Sequence, residues 1–358
     1  MTRASDAGVE ASAQGTAPAA LSRFDPAVLG VFFSAVSACG YTGANMALRS
    51  VAVPHDPDWA IWVSCIKAVP TAIVAVVLVG WRLWGGLPLQ LSRRMFGMLL
   101  AAALFMQFAG NGAFQFALGA GGLAIVVPLS FAILIGSGAW LGRLYLGEPI
   151  TFRTALAMSV LTLSILLLSA GTGDAAANMS AGASRWIIAA IVLAAGLSGL
   201  GYGAGGVAIR GALTRGVPLA VVLLIMSVTG VVALGLTSLV RMGPERLAAT
   251  PLDDLAMMCL GGVTNAVAFF ALGAAFKYIS VVHVNLVNAS QIAMSAAAGV
   301  LVFAEPLTGW IVGGCLLTIV GLLLMDTGRR DPPGPMAGSE ARRDDEDEAR
   351  TASYSKQE

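Results

Sequence analysis

The chain has 358 residues, 57% of them hydrophobic and only 11% charged, with a mean hydropathy of +0.81. A soluble domain carries about 25% charged residues, so most of this chain is built for lipid, and its net charge of +1 offers nothing to a nucleic-acid partner. Cys39, Cys65, Cys259 and Cys315 all lie in apolar runs without metal-ligand spacing, which argues against a disulfide scaffold or metal site and for small buried side chains.

Residues 1–24 are rich in Ala, Ser and Gly and read as a disordered tail. The apolar run that follows continues past signal-peptide length and is expected to stay as a membrane span. A spanning helix needs about 20 mostly apolar residues. Ten runs qualify: 27–51, 58–81, 95–117, 121–143, 152–171, 186–208, 217–240, 255–275, 279–303 and 308–326. Their continuous apolar character lacks the alternation of a barrel wall, and a helix satisfies its own backbone groups in lipid. The predicted fold is therefore an all-α integral membrane protein of ten transmembrane helices. Residues 328–358, with Pro332-Pro333 and the charged run 342–348, read as a second disordered, charged tail.

The ten spans fall into two related halves, 25–171 and 184–327. Gly40-Tyr41 followed by Ala47-Leu48-Arg49 recurs as Gly201-Tyr202 followed by Ala208-Ile209-Arg210. Phe116-Ala117-Leu118-Gly119-Ala120 recurs as Phe270-Ala271-Leu272-Gly273-Ala274, and Glu148-Pro149-Ile150-Thr151 as Glu305-Pro306-Leu307-Thr308. The offsets of 161, 154 and 157 are close and the order is kept, as one duplication requires. Each half holds five spans. An odd number sends the second copy into the membrane from the opposite side, and such inverted-topology repeats mark alternating-access transporters.

Charge sets the orientation. With the N-terminus inside, 16 of the 21 Lys and Arg fall inside, four (Arg49, Arg185, Arg241, Arg246) outside, and Lys67 within a span. The positive-inside rule then places both termini in the cytoplasm of a multi-pass cell (inner) membrane protein. Trp59, Trp186 and Trp310 at outer span ends, and Trp81, Trp84 and Trp140 near inner ends, read as an aromatic belt. Repeat-related Arg49 and Arg210, and Glu148 and Glu305, land on opposite faces.

These features carry a family resemblance. The two-times-five architecture, the Gly-Glu-Pro and Ala-Glu-Pro segments ending at Pro149 and Pro306, and the stretch from Phe270 to Ser280 resemble the EamA-type, ten-helix members of the drug/metabolite transporter superfamily. The resemblance covers residues 27–327. It implies a secondary transporter of small metabolites whose cavity is lined by spans one, three, four, six, eight and nine.

Lys67 is the one charged side chain deep in an apolar run. Such a charge costs at least about 2.5–3.5 kcal/mol on insertion scales, so it is expected to face the protein interior or a wet cavity. It reads either as an anchor for an anionic group or as a structural lysine bonded to a carbonyl that Pro70 leaves without its helical partner. Span two is peripheral to the cavity in the family, and the position related to Lys67 in the second half is Val228. In span nine, Asn285, Asn288 and Gln291 recur every three residues and form a polar stripe on one helix face. In span three, Gln107, Asn111 and Gln115 recur every four. Tyr41 and Asn45 in span one, Tyr202 in span six and Asn265 in span eight add polar groups. Each could bind solute or glue helices together. His283, on another face of span nine, reads as structural rather than proton-coupling. Glu148, Pro149, Glu305 and Pro306 read as structural junctions, an acid and a proline at a helix start.

The expected substrate site is thus Tyr41, Asn45, Lys67, Gln107, Asn111, Tyr202, Asn285, Asn288 and Gln291. No ATP-binding loop, paired-His motif or catalytic residue is visible, so no enzyme activity, cofactor or metal is expected. The expected partners are a small organic solute (an amino acid or another small compound, anionic ones included) and the lipid bilayer; a homodimer is compatible with the sequence. A channel, scaffold or membrane-embedded enzyme is the alternative.

Overall fold

The computed structural model describes residues 25–121, 123–170, 185–294 and 308–324. Glu305, Pro306, the terminal tails and the link between the two halves lie outside the described residues. The chain divides into a unit Met1–Asp326 and a terminal unit Thr327–Glu358; everything described below belongs to the first.

All regular structure among the described residues is helical. Helix α1 is Pro26–Ser50 and α2 is Pro57–Trp84. Both start the same way: Asp25 and Asp56 accept hydrogen bonds from main-chain N–H groups of the first turn, and the next residue is proline. An acidic cap satisfies an orphan donor, and proline at the first position sacrifices an N–H that had no partner. Helix α3, Arg93–Phe105, runs directly into a π-helical stretch, Met106–Gly112, and then α4, Ala113–Gly121. Helices α5, Leu123–Leu146, and α6, Phe152–Ala170, complete the first half. The second half contains α7, Arg185–Thr214; α8, Leu219–Ala248; α9, Leu252–Tyr278; α10, Val281–Asn288; and α11, Gly309–Leu324. Helix α8 turns sharply at Gly243, whose φ of 76° only glycine adopts cheaply, just before Pro244.

Among the described residues, seven helices are long and apolar enough to cross a membrane, α3, the π stretch and α4 counting as one; apolar stretches within α6 and α11 are shorter. The ninth predicted span is followed only to residue 294: after α10, Ala289 keeps a helical backbone (φ −61°, ψ −19°) and residues 290–294 are again helical. The outer surface carries large apolar side chains, including Ile73, Val76, Leu193, Val232 and Leu236. A water-soluble surface does not tolerate such a belt, whereas hydrocarbon demands it. Trp81, Trp84, Trp140, Trp186 and Trp310 are exposed among them. Trp59 corrects the belt reading: it is buried, and its indole N–H donates to the Val51 carbonyl at 2.8 Å.

The halves interleave. Helix α1 packs along α9, α5 along α7, α2 along α8 and α6 along α11, while α7 also lies against α3, the π stretch and α4, and α10 against α1. Small residues permit the closest crossings. A Cβ on Gly40 would stand 3.0 Å from the Thr264 carbonyl oxygen, and one on Gly201 would stand 2.5 Å from the Gly110 nitrogen. With no Cβ at either crossing, the backbones approach to van der Waals distance.

At the end of the bundle where α2 begins, Asp56 pairs with Arg246 at 2.7 Å and Asp58 with Arg241, tying α2 to α8. Burial pushes the Asp56 carboxyl up, but the Trp59 amide and Arg246 outweigh it and hold it below its ordinary value. A depressed folded pKa gives stability that is present above the unfolded value and lost as pH falls through the folded one. Asp56→Asn keeps the cap but loses this charge. It is therefore expected to cost up to about 1 kcal/mol at neutral pH and to flatten the fall in melting temperature below about pH 4. Melts of both proteins across that range check it.

Candidate functional site

The helices enclose a cavity of about 110 Å³ deep in the bundle. Tyr41, Asn45, Lys67, Gln107, Asn111, Tyr202, Asn285, Asn288 and Gln291 all line it. Nine polar side chains scattered over 251 residues of sequence are thereby brought to one place. They arrive from α1, α2, the π stretch, α7, α10 and the turn of helix after it.

Two hydrogen-bond systems organise the walls. The first centres on Asn111. Its side-chain oxygen accepts from Lys67 Nζ at 2.6 Å and from the Tyr202 hydroxyl at 3.0 Å. Its amide nitrogen donates to Gln107 Oε1 at 2.7 Å, and Gln107 Nε2 donates to the Met226 carbonyl at 2.8 Å. Lys67 thus bonds to a side chain rather than to a carbonyl freed by Pro70. Both Gln107 and Asn111 belong to the π-helical stretch, where each main-chain bond spans five residues instead of four. That corrects the regular helix face expected for span three. The Asn111 carbonyl accepts from the Ser64 hydroxyl at 3.2 Å, so the irregular backbone is supported from α2. Gln115 leaves the cavity and donates to the Leu48 carbonyl at 3.3 Å.

The second system joins α1 to the ninth span. Asn45 Nδ2 donates to Gln291 Oε1 at 3.2 Å, Gln291 Nε2 to the Asn288 carbonyl at 3.0 Å, and the Ser37 hydroxyl to Asn288 Oδ1 at 3.1 Å. Asn285 Nδ2 and Thr71 Oγ1 are buried with no hydrogen-bond partner. Such groups are costly to leave unpaired. Aromatic and aliphatic walls complete the lining, with Phe114 and Tyr202 in edge-to-face contact at 6.0 Å.

One side of the cavity is closed by Phe276, and behind it sits a buried ion pair. Arg210 Nε donates to Glu148 Oε1 at 3.3 Å, both residues being nearly inaccessible, and Arg210 also donates to the Phe276 carbonyl. Glu148 Oε2 accepts from the Val281 amide at 3.0 Å. The acid therefore faces the start of α10, not the start of α6 next to it in sequence, which Thr151 caps. His283 lies outside the cavity, its ring Nδ1 against the Ser280 hydroxyl.

Asn265 and Thr71 also line the cavity. Asn265 was legible through the repeat: the offset of 154 that relates Phe116 to Phe270 also relates Asn111 to Asn265. Thr71 follows Lys67 by one helical turn, a spacing that puts both on one face.

An all-helical chain with an apolar exterior and a polar internal cavity is a multi-pass membrane protein. Residues 185–326 match the EamA-like transporter family. A protein of known crystal structure superposes with a TM-score of 0.62 at 15% identity, covering 82% of this chain and 95% of that one. At that identity the likeness speaks for the fold alone. Among curated proteins, none matches the chain.

Proposed function

We propose that the protein is a secondary transporter of a small organic solute, working by alternating access around the central cavity. Ten spans form two inverted five-helix repeats in a cell membrane, with both termini cytoplasmic. The observation that carries this reading is a polar, partly unsatisfied cavity placed between the two halves of an apolar bundle. Only a group that must pass, or be bound, inside the membrane repays that cost.

The packing supports the repeat. A two-fold operation exchanging the halves turns the α1–α9 pair into α7 against α3, the π stretch and α4, and turns α5–α7 into α10 against α1; α2–α8 and α6–α11 map onto themselves. All of these pairings occur. The close crossings agree as well. Gly40 and Gly201 are repeat partners, and the residues they press on, Thr264 and Gly110, are related by the 154 offset. The π stretch in the third span borders the cavity, and such irregular turns are frequent at functional sites.

The test is counterflow. Proteoliposomes preloaded with unlabelled solute are expected to accumulate labelled solute transiently against its gradient, with saturation. A flux that rises linearly and shows no exchange would mean a channel; a chemically altered product would mean an enzyme.

A further inference from the structure

We infer that the solute is a small amphipathic organic monoanion, a carboxylate on an apolar or aromatic body, held by Lys67, Thr71 and Asn285. This rests on reading the cavity as a solute site, and it concerns what that site selects.

The first support is charge. Among the described residues, Lys67 is the only charged one lining the cavity, and no Asp or Glu lines it. Lys67 is 6% exposed, and its one protein acceptor is the neutral amide oxygen of Asn111. An ammonium carries three N–H donors, so two are left over, and a buried cation without an anion is expensive.

The second support is a pair of buried polar atoms without partners. The amide oxygens of Gln107, Asn111, Asn288 and Gln291 already accept from protein donors, Asn111 twice. Asn285 Nδ2 can only donate, Thr71 Oγ1 can donate, and both are buried without partners. Lys67 and Thr71 stand on one face of α2, and Asn285 approaches from α10. A carboxylate offers two oxygens and about four lone pairs, enough to accept from Lys67 Nζ and from these two donors.

The same bookkeeping excludes other solutes. An amine, or the ammonium of an amino acid, would enter a site with a resident cation and no carboxylate. A phosphate dianion would bring two charges to one lysine, with no arginine fork among the described lining residues. The rest of the wall, including Phe114, Phe131 and Phe269, suits an apolar body.

Purified full-length protein tests this with four matched probes: phenylacetate, phenylalanine, phenethylamine and phenethyl alcohol. Melting shifts and competition against labelled phenylacetate are the readouts. Phenylacetate is expected to bind and stabilise, the alcohol to bind at least about tenfold more weakly, the scale of one charged hydrogen bond, and the amine and zwitterion more weakly still. Lys67→Met is expected to abolish the preference of anion over alcohol. Should that variant not fold, Asn285→Ala, which removes an unpaired donor and leaves no buried group orphaned, is expected to weaken phenylacetate about tenfold and leave the alcohol unchanged. Equal or tighter binding of phenylalanine or phenethylamine, or an anion preference that survives both substitutions, would overturn the inference. Binding and flux separate the two readings: phenylacetate that binds through Lys67 but never crosses a proteoliposome sinks the transport reading alone, and saturable exchange of a cation sinks this one alone.

Discussion

Replacing Glu148 with glutamine is expected to destabilise the protein by about 3 kcal/mol or more, the scale seen when one partner of a buried ion pair is removed. Glu148 and Arg210 are 5% and 7% exposed at the side chain, 3.3 Å apart. The substitution leaves the guanidinium facing a neutral amide in a low-dielectric interior. It also removes the charge from the acceptor of the Val281 amide, at the positive end of α10. The loss reaches beyond one contact, because Glu148 follows α5, Arg210 belongs to α7, and the bonded Phe276 and Val281 belong to α9 and α10. Four elements of both halves meet there. Glu148→Gln combined with Arg210→Met is expected to recover much of the loss, since a well-packed apolar pair avoids the desolvation cost. Melts of the single and double variants in detergent decide the matter. A single variant within about 0.5 kcal/mol of the parent, the ordinary range for surface changes, would show the pair to be dispensable.

The second large effect is expected at Asn111. Its side chain makes three bonds, two accepted and one donated. Asn111→Leu is nearly isosteric but strips the acceptor from Lys67 and Tyr202 and the donor from Gln107. Each orphaned group costs about 1–3 kcal/mol, so transport is expected to fall by about a hundredfold or more, with a lowered melting temperature. Asn111→Asp separates structure from selection. The new carboxylate accepts from the same lysine and tyrosine and loses only the donor to Gln107, so much of the stability lost in Asn111→Leu is expected to return, whereas the cavity's positive charge is neutralised and binding of an anionic solute is expected to disappear. If Asn111→Asp transports like the parent, Lys67 does not act through its charge.

Much of this arrangement was legible before any coordinates. Apolar run length located the helices because lipid leaves a span few alternatives. Polar residues inside those runs located the cavity wall, because a polar side chain in the membrane needs a reason to be there. Lys67, Asn285 and Asn111 each stood out in this way, although nothing in the sequence showed that they meet. Four features were hidden for physical reasons. The π-helical stretch at Met106–Gly112 arises where α7 presses Gly201 onto Gly110, a tertiary contact that local propensity does not encode. The partner of Glu148 lies 62 residues away, and the helix start it faces lies 133 away, so its proline neighbour pointed to the wrong helix. Trp59 looks like an interfacial anchor by position and is instead buried against the end of α1. Span two was expected at the periphery, yet Lys67, Ala68 and Thr71 bring it to the cavity.

The central claim is that one cavity is reached in turn from each side of the membrane. The direct measurement is thiol labelling of Asn45→Cys in a background lacking Cys39, Cys65, Cys259 and Cys315. A membrane-impermeant reagent is applied to right-side-out and to inside-out vesicles, with and without bound solute. The account predicts labelling from both sides, slowed from both by the same solute at the same concentration. Labelling from one side only, under every solute condition, would contradict it.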